Sequence, residues 1–252
     1  MKFVRFAQDN DIKYGLVRDN IVLELKGSIF SEYGVTEKKH NLCDLKILSP
    51  CSPTKIIAIG LNYCSHAEEL GMRIPDEPMV FMKPPTAVIG NDEEIVYPEM
   101  SKQVDYEGEL GVVIRKKCRF ASEEEAHKFI LGYTCFNDVT ARDLQRRDSQ
   151  FIRSKGFDTF APMGPFISTD IDPDNVKIET FLNGDKRQSG TTRDFIFQVK
   201  YLVSFLSKIM TLCPGDVIAT GTPSGIGPMN IGDVVEGRIE GIGSLRNRVA
   251  GV

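Results

Sequence analysis

Short apolar runs broken by polar turns fill the first fifty residues. VRF, YGLV and IVLEL alternate with the turn sequences QDND and RDN, a pattern that predicts short strands. LSPCSP, Leu48 to Pro53, then places two prolines three residues apart, which suits a connector better than a helix or an interior strand. Beyond it, KIIAIG reads as a buried strand running into GLNYCSHAEELG. Residues 1–50 are therefore expected to form a small β-rich domain and residues 54–252 a larger one.

The clearest two-residue period lies in VDYEGEL, Val104 to Leu110. Read as one strand, it puts Val104, Tyr106, Gly108 and Leu110 on one face and Asp105, Glu107 and Glu109 on the other. Three like charges at strand spacing repel, so that face is either bathed in water or gathered around a cation. A helical period appears in VKYLVSFLSKIM, apolar at 199, 202, 203, 206, 209 and 210, which predicts an amphipathic helix packed on a sheet. Two capping boxes are also legible: Ser122 with Glu125 before AHKFIL, and Thr140 with Asp143 after the strand Tyr133 to Asp138. DVIATG and DVVEGRIEGIG, each entered through a Gly-Asp turn, make the C-terminal third strand-rich again. Many strands, few helices and no strict βαβ alternation predict an α+β architecture of mixed sheets.

Composition narrows the class of molecule. The 252 residues, 41% of them hydrophobic, can furnish a sizeable core without staples. The six cysteines show no C-x-x-C spacing and read as reduced structural thiols. A net charge of −4, with basic residues dispersed apart from short clusters at Arg115 to Arg119 and Arg142 to Arg153, argues against nucleic acid as a partner. No segment approaches the roughly 20 apolar residues of a membrane span, and the N-terminus turns polar too soon for a signal peptide, so a cytoplasmic protein is expected.

Several residues could carry chemistry. Glu107 and Glu109 stand roughly 6.6 Å apart along one strand face, near enough to converge on one hard divalent cation. Asp138, at a strand end beside a helix start, offers a third carboxylate, although spacing alone does not bring the two strands together. On the following helix Arg142, Gln145 and Arg146 share one face, either a seat for a carboxylate ligand or a solvated surface. If GLNYCSHAEELG is helical after Asn62, His66 and Glu69 meet as a base and its orienting carboxylate. His40 and His127 sit among polar residues and read as solvated. Lys155 lies in a Gly- and Pro-rich stretch that resembles a loop near a site. GTPSGIG, Gly221 to Gly227, lacks both the Gly-Lys-Ser/Thr ending and the G-x-G-x-x-G spacing of nucleotide loops, and reads as a tight loop whose backbone and Thr222 hydroxyl approach a small ligand.

GLNYCSHAEE, MVFMKPPTAVIG, VDYEGELGVVI, GYTCFNDVTARDLQ, RSKGFDTFAPMGP and VIATGTPSGIG, in this order from about Lys55 to Val249, resemble the fumarylacetoacetate hydrolase family, in particular its smaller members. The resemblance implies mixed, rolled β-sheets with few helices, a homodimer, and a Mg²⁺ or Mn²⁺ ion held by Glu107, Glu109 and Asp138. It gives His66 with Glu69 a catalytic role on a lid-like segment. Lys155 is implied as a catalytic cation, with Arg142, Gln145 and Thr222 in contact with a small 2-oxo acid. The implied reaction passes through a metal-stabilised enolate, either as C–C hydrolysis of the acylpyruvate type or as decarboxylation of the oxaloacetate type. A 2-hydroxyhepta-2,4-diene-1,7-dioate isomerase or decarboxylase of aromatic catabolism is the nearest alternative, and a non-catalytic metal- and carboxylate-binding domain is a rival from another class. GLNYCSHAEE also favours the three-carboxylate type over the larger members, which add an upstream aspartate. Asp105 receives no role.

Overall fold

The alternation near the N-terminus produces four antiparallel strands, Lys2–Gln8, Asp11–Arg18, Ile21–Gly27 and Tyr33–Asn41, each paired with the next. The RDN turn works because Asp19 adopts the left-handed conformation, φ 54°, that short polar side chains tolerate. This computed structural model describes residues 1–8 and 11–252, so the expected QDND turn, which includes residues 9 and 10, falls partly outside the described residues. The N-terminal strands join the rest of the molecule edge to edge: Lys2, Phe3 and Val4 pair with Ser168, Ile167 and Phe166.

That pairing makes one large sheet. From the Lys2–Gln8 strand it continues through Ala161–Ser168, Ile130–Asn137, Gly108–Ile114, Val217–Ala219 and Ile56–Gly60, and ends at Met79–Lys83. Most neighbours are antiparallel, whereas Val217–Ala219 runs parallel to Ile56–Gly60. A five-stranded sheet built on Lys177–Leu182 and Val234–Ile239 packs beside it, and a three-stranded sheet joins Thr140–Ala141, Val104–Tyr106 and Gly227–Met229. The architecture is mixed β-sheet with few helices, as the patterning predicted. Among the described residues no helix is long and apolar enough to cross a membrane.

The amphipathic helix forms as Val199–Ile209. It buries Val199, Leu202, Val203 and Leu206 in a cluster with Ile57, Leu110, Val112 and Ile218, and so backs the sheet strands that carry the acidic residues. Both capping boxes fail. Ser122 lies in irregular backbone, Glu123 to Glu125 is turn, and only the 3₁₀ segment Ala126–Phe129 follows, with no side-chain cap. Thr140 belongs to a short strand, and the helix Arg142–Arg147 starts at Ala141 with no side-chain cap. Asp143 instead accepts bonds from Ser101 Oγ and the Lys102 amide. At the second site a partner outside the helix takes the Asp143 side chain that the local pattern assigned to the cap.

His40 is also corrected. Its Nε2 lies 3.0 Å from Glu24 and its ring packs on Phe6 at 5.4 Å, so it is a half-buried, paired side chain, while His127 is exposed.

Candidate active site

VDYEGEL is not one strand. The chain runs as Val104–Tyr106 in the three-stranded sheet, breaks at Glu107, and resumes as Gly108–Ile114 in the large sheet. Side chains satisfy the break where ladder bonds would have been: Asn137 Oδ1 accepts the Glu107 amide at 2.9 Å and Gln188 Oε1 accepts the Gly108 amide at 2.9 Å. Gly108 is required by close approach, since a methyl group there would lie 2.1 Å from Thr180 Oγ1 on the neighbouring sheet. The water-bathed alternative is excluded, because Asp105 and Glu109 are 2% exposed and Glu107 5%.

Burial of these acids works because the fold brings other groups to them. The Glu107 carbonyl accepts the Asp138 amide at 2.8 Å, which places Asp138 beside the break. Carboxylate oxygens of Glu107, Glu109 and Asp138 then lie within 4.8 Å of one another. Lys155 Nζ donates to Glu107 at 2.8 Å and to Asp138. Lys83, 1% exposed, donates to Asp138 and, at 3.0 Å, to the Val139 carbonyl. Arg142 Nε donates to Asp105 at 2.8 Å, and its two terminal nitrogens donate to Glu107 and Gln145.

Formal charge makes the cluster incomplete. Four carboxylates, Asp105, Glu107, Glu109 and Asp138, face three cations, Lys83, Lys155 and Arg142. Glu109 accepts the Gly221 amide at 2.9 Å, and among the described residues no cationic side chain lies within 4.0 Å of it. Burial, reinforced by the charges of Asp138 and Glu107, pushes its carboxyl well above the usual range. Burial also opposes ionisation of Glu107, yet the charges of Lys155 and Arg142 outweigh it and hold that carboxyl below the usual range. Burial pushes the Lys83 ammonium down to about 8 against the pull of Asp138. An oxygen-only set of three buried carboxylates carrying excess negative charge fits a hard divalent cation.

His66 lines the same cavity as the three carboxylates. Asn62 is fully buried and ties the end of the Ile56–Gly60 strand to its surroundings, donating to the Thr220 carbonyl at 2.7 Å and accepting the Phe197 amide at 2.8 Å. The helix Cys64–Leu70 starts two residues later, as expected, and turns His66 into the cavity. His66 Nδ1 lies 2.8 Å from Glu69 Oε2, while Glu69 Oε1 accepts the Gly225 amide at 2.9 Å. Glu69 thus fixes the imidazole and ties the helix to the GTPSGIG loop.

All nine sequence-predicted site residues gather at this place. Eight of them line one cavity of about 240 Å³, and the ninth, Glu69, is bonded to His66, one of the eight. Two of the eight have their donors committed internally. Every nitrogen of the Arg142 guanidinium is bonded, and the Thr222 hydroxyl donates to the Gly108 carbonyl at 2.9 Å while accepting from Gln188 at 2.7 Å. Sequence reasoning missed Lys83, Asn137 and Gln188. Lys83 left a signal, a single charge ending the otherwise apolar run MVFM before two prolines. Asp105, which had no role, holds Arg142 in place. Asp105→Asn should lower stability by about 2 kcal/mol through loss of a charge-assisted bond to a buried guanidinium, measured by urea unfolding.

Comparison with known proteins agrees with this architecture. Residues 55–250 match the family model described as Fumarylacetoacetate (FAA) hydrolase C-terminal, and residues 1–50 match one described as Rv2993c-like, N-terminal. The chain is 44% identical over 225 residues to the oxaloacetate tautomerase YisK of Bacillus subtilis, covering 83% of this chain and 75% of that one. The structure of 5-carboxymethyl-2-hydroxymuconate delta-isomerase from Mycobacterium smegmatis is 40% identical, with TM-score 0.94 and all of both chains covered. Maleylpyruvate hydrolase from Sphingobium sp. SYK-6, solved with manganese(II) and pyruvate, is 26% identical with TM-score 0.83, covering 100% of this chain and 99% of that one. The chain belongs to the fumarylacetoacetate hydrolase C-terminal family.

Proposed function

We propose that the chain is a divalent-cation-dependent enzyme that acts on a small 2-oxo acid by moving a proton at the carbon beside the 2-oxo group. The observation that carries this is the pairing of a positioned base, His66 with Glu69, and a three-carboxylate cluster across one small cavity. Glu107, Glu109 and Asp138 would hold Mg²⁺ or Mn²⁺, which when bound would polarise the 2-oxo and carboxylate oxygens of the substrate. His66, oriented through Nδ1 by Glu69, presents Nε2 as the atom that takes or returns the proton. Lys155, buried between Glu107 and Asp138, supplies positive charge beside the oxygen where negative charge develops. Gln145 and Thr222 border the space for the substrate, and Arg142 acts by holding Gln145 and Glu107. Apolar side chains, among them Leu61, Phe81 and Phe151, limit water at the reacting carbon.

The names of the tautomerase and isomerase relatives favour proton transfer without bond cleavage. The maleylpyruvate hydrolase favours a second reading, in which His66 deprotonates a water that attacks a distal carbonyl and breaks a C–C bond. Decarboxylation of an oxaloacetate-type substrate uses the same cavity without an attacking water. Oxaloacetate, an acylpyruvate and 2-hydroxyhepta-2,4-diene-1,7-dioate, each incubated with Mn²⁺ or with EDTA and followed by proton NMR in D₂O, separate these outcomes. Deuterium uptake beside the 2-oxo group is expected with at least one substrate and only in the presence of the metal. If no substrate exchanges, isomerises or cleaves, the catalytic reading gives way to a non-catalytic domain.

A further inference from the structure

The helix that carries His66 is lightly held. Of the residues in Cys64–Leu70, His66 and Ala67 are buried, so packing fixes little of it. Among the described residues, its side chains make one hydrogen bond outside the helix, the one that Glu69 Oε1 accepts from the Gly225 amide at 2.9 Å. The place of His66 therefore depends on where Gly225 stands. Gly225 has φ 96°, and a methyl group there would collide with the Arg187 carbonyl. Its own carbonyl accepts the Tyr106 hydroxyl at 3.1 Å. Tyr106 is 3% exposed, belongs to the buried cluster of Val104, Val139 and Met229, and pairs through its backbone with Gly227. Its ring is thus fixed in the core while its hydroxyl reaches the loop. The same loop bonds Glu109 through the Gly221 amide, so it meets a carboxylate of the acidic cluster at one end and the carboxylate behind His66 at the other.

We propose that Tyr106 is a positioning residue for the base: its hydroxyl holds Gly225, the Gly225 amide holds Glu69, and Glu69 holds His66. This rests on the reading of His66 as the group that takes or returns the proton. Tyr106 does not line the cavity and acts only through these bonds. The amide and the carbonyl of Gly225 belong to different peptide groups, so the chain of bonds passes on position and carries no proton.

Y106F keeps the ring and removes the hydroxyl, and two measurements on it test the assignment. In the metal-free protein, amide hydrogen exchange read by mass spectrometry should quicken about fivefold over residues 64–70, the size of one neutral hydrogen bond, and keep the wild-type rate in the strand Gly108–Ile114. With saturating Mn²⁺, kcat for proton exchange beside the 2-oxo group should fall about fivefold, while KM and Mn²⁺ affinity stay at wild-type values. E69A cuts the chain of bonds one step further on, so in that background Y106F should cost nothing more. Amide exchange unchanged over residues 64–70, or quickened throughout the chain, would overturn the assignment. A fivefold cost that persists in E69A, or a parallel loss of Mn²⁺ affinity, would overturn it too, since Tyr106 would then act by another route. If the wild-type chain moves no proton on any substrate, the reading of His66 as the base fails, and amide exchange over residues 64–70 still decides whether Tyr106 holds the helix.

Discussion

Glu109→Gln should weaken Mn²⁺ binding by about 100-fold or more, while the metal-free protein unfolds at the same temperature as wild type or higher. The two effects have one cause. Glu109 is buried and faces Glu107 and Asp138, and among the described residues no cationic side chain lies within 4.0 Å of it, so its charge would serve a bound cation and opposes the fold when none is bound. Glutamine keeps an oxygen for the Gly221 amide and removes the charge. Calorimetric titration with Mn²⁺ and thermal unfolding in EDTA measure both effects. Retention of stoichiometric Mn²⁺ would refute the ligand assignment.

His66→Ala should do the reverse, keeping Mn²⁺ binding and lowering proton exchange beside the 2-oxo group by about 10²- to 10⁴-fold. Among the described residues the imidazole is bonded only to Glu69 on its own helix, so its removal should leave the three carboxylates in place. Exchange is read by NMR and metal content by titration on the same preparation. Unchanged exchange would remove His66 from the proton-transfer step. Decarboxylation that survives in the variant would show that this reaction proceeds without the base.

Much of the site was legible because its parts are local. His66 and Glu69 are one helical turn apart, and the spacing alone brought their side chains to 2.8 Å. The strands and the helix Val199–Ile209 follow from period two and period 3.6 in the same way. What the sequence hid depends on distant partners. Straight alternation through VDYEGEL correctly grouped Glu107 with Glu109, but it missed the break that Asn137 and Gln188 stabilise from 30 and 80 residues away. Asp105 had no meaning until Arg142, 37 residues on, was seen to bond it. Lys83 meets Asp138 across 55 residues, a distance no local pattern spans. The failed capping box at Thr140 and Asp143 follows the same rule: Asp143 is taken by Ser101, and the Thr140 hydroxyl lies within bonding distance of Glu107 and the Asp138 carbonyl.

The break at Glu107 also bears on how the molecule comes apart. Upstream of it the chain is hydrogen-bonded to Thr140–Ala141 and Gly227–Met229, and downstream to Ile130–Asn137 and Val217–Ala219, so two separate sheets meet at a single residue. Glu107 stands on that seam, with Glu109 on one side and Asp138 just past the end of the paired strand Ile130–Asn137, its amide bonded to the Glu107 carbonyl. A cation shared by the three would act as a rivet between the sheets, adding about 2.7 kcal/mol at a free concentration 100 times its dissociation constant. On the proposed function, loading for catalysis and fastening of the seam would be a single equilibrium, and a chain starved of metal would be at once idle and easier to open.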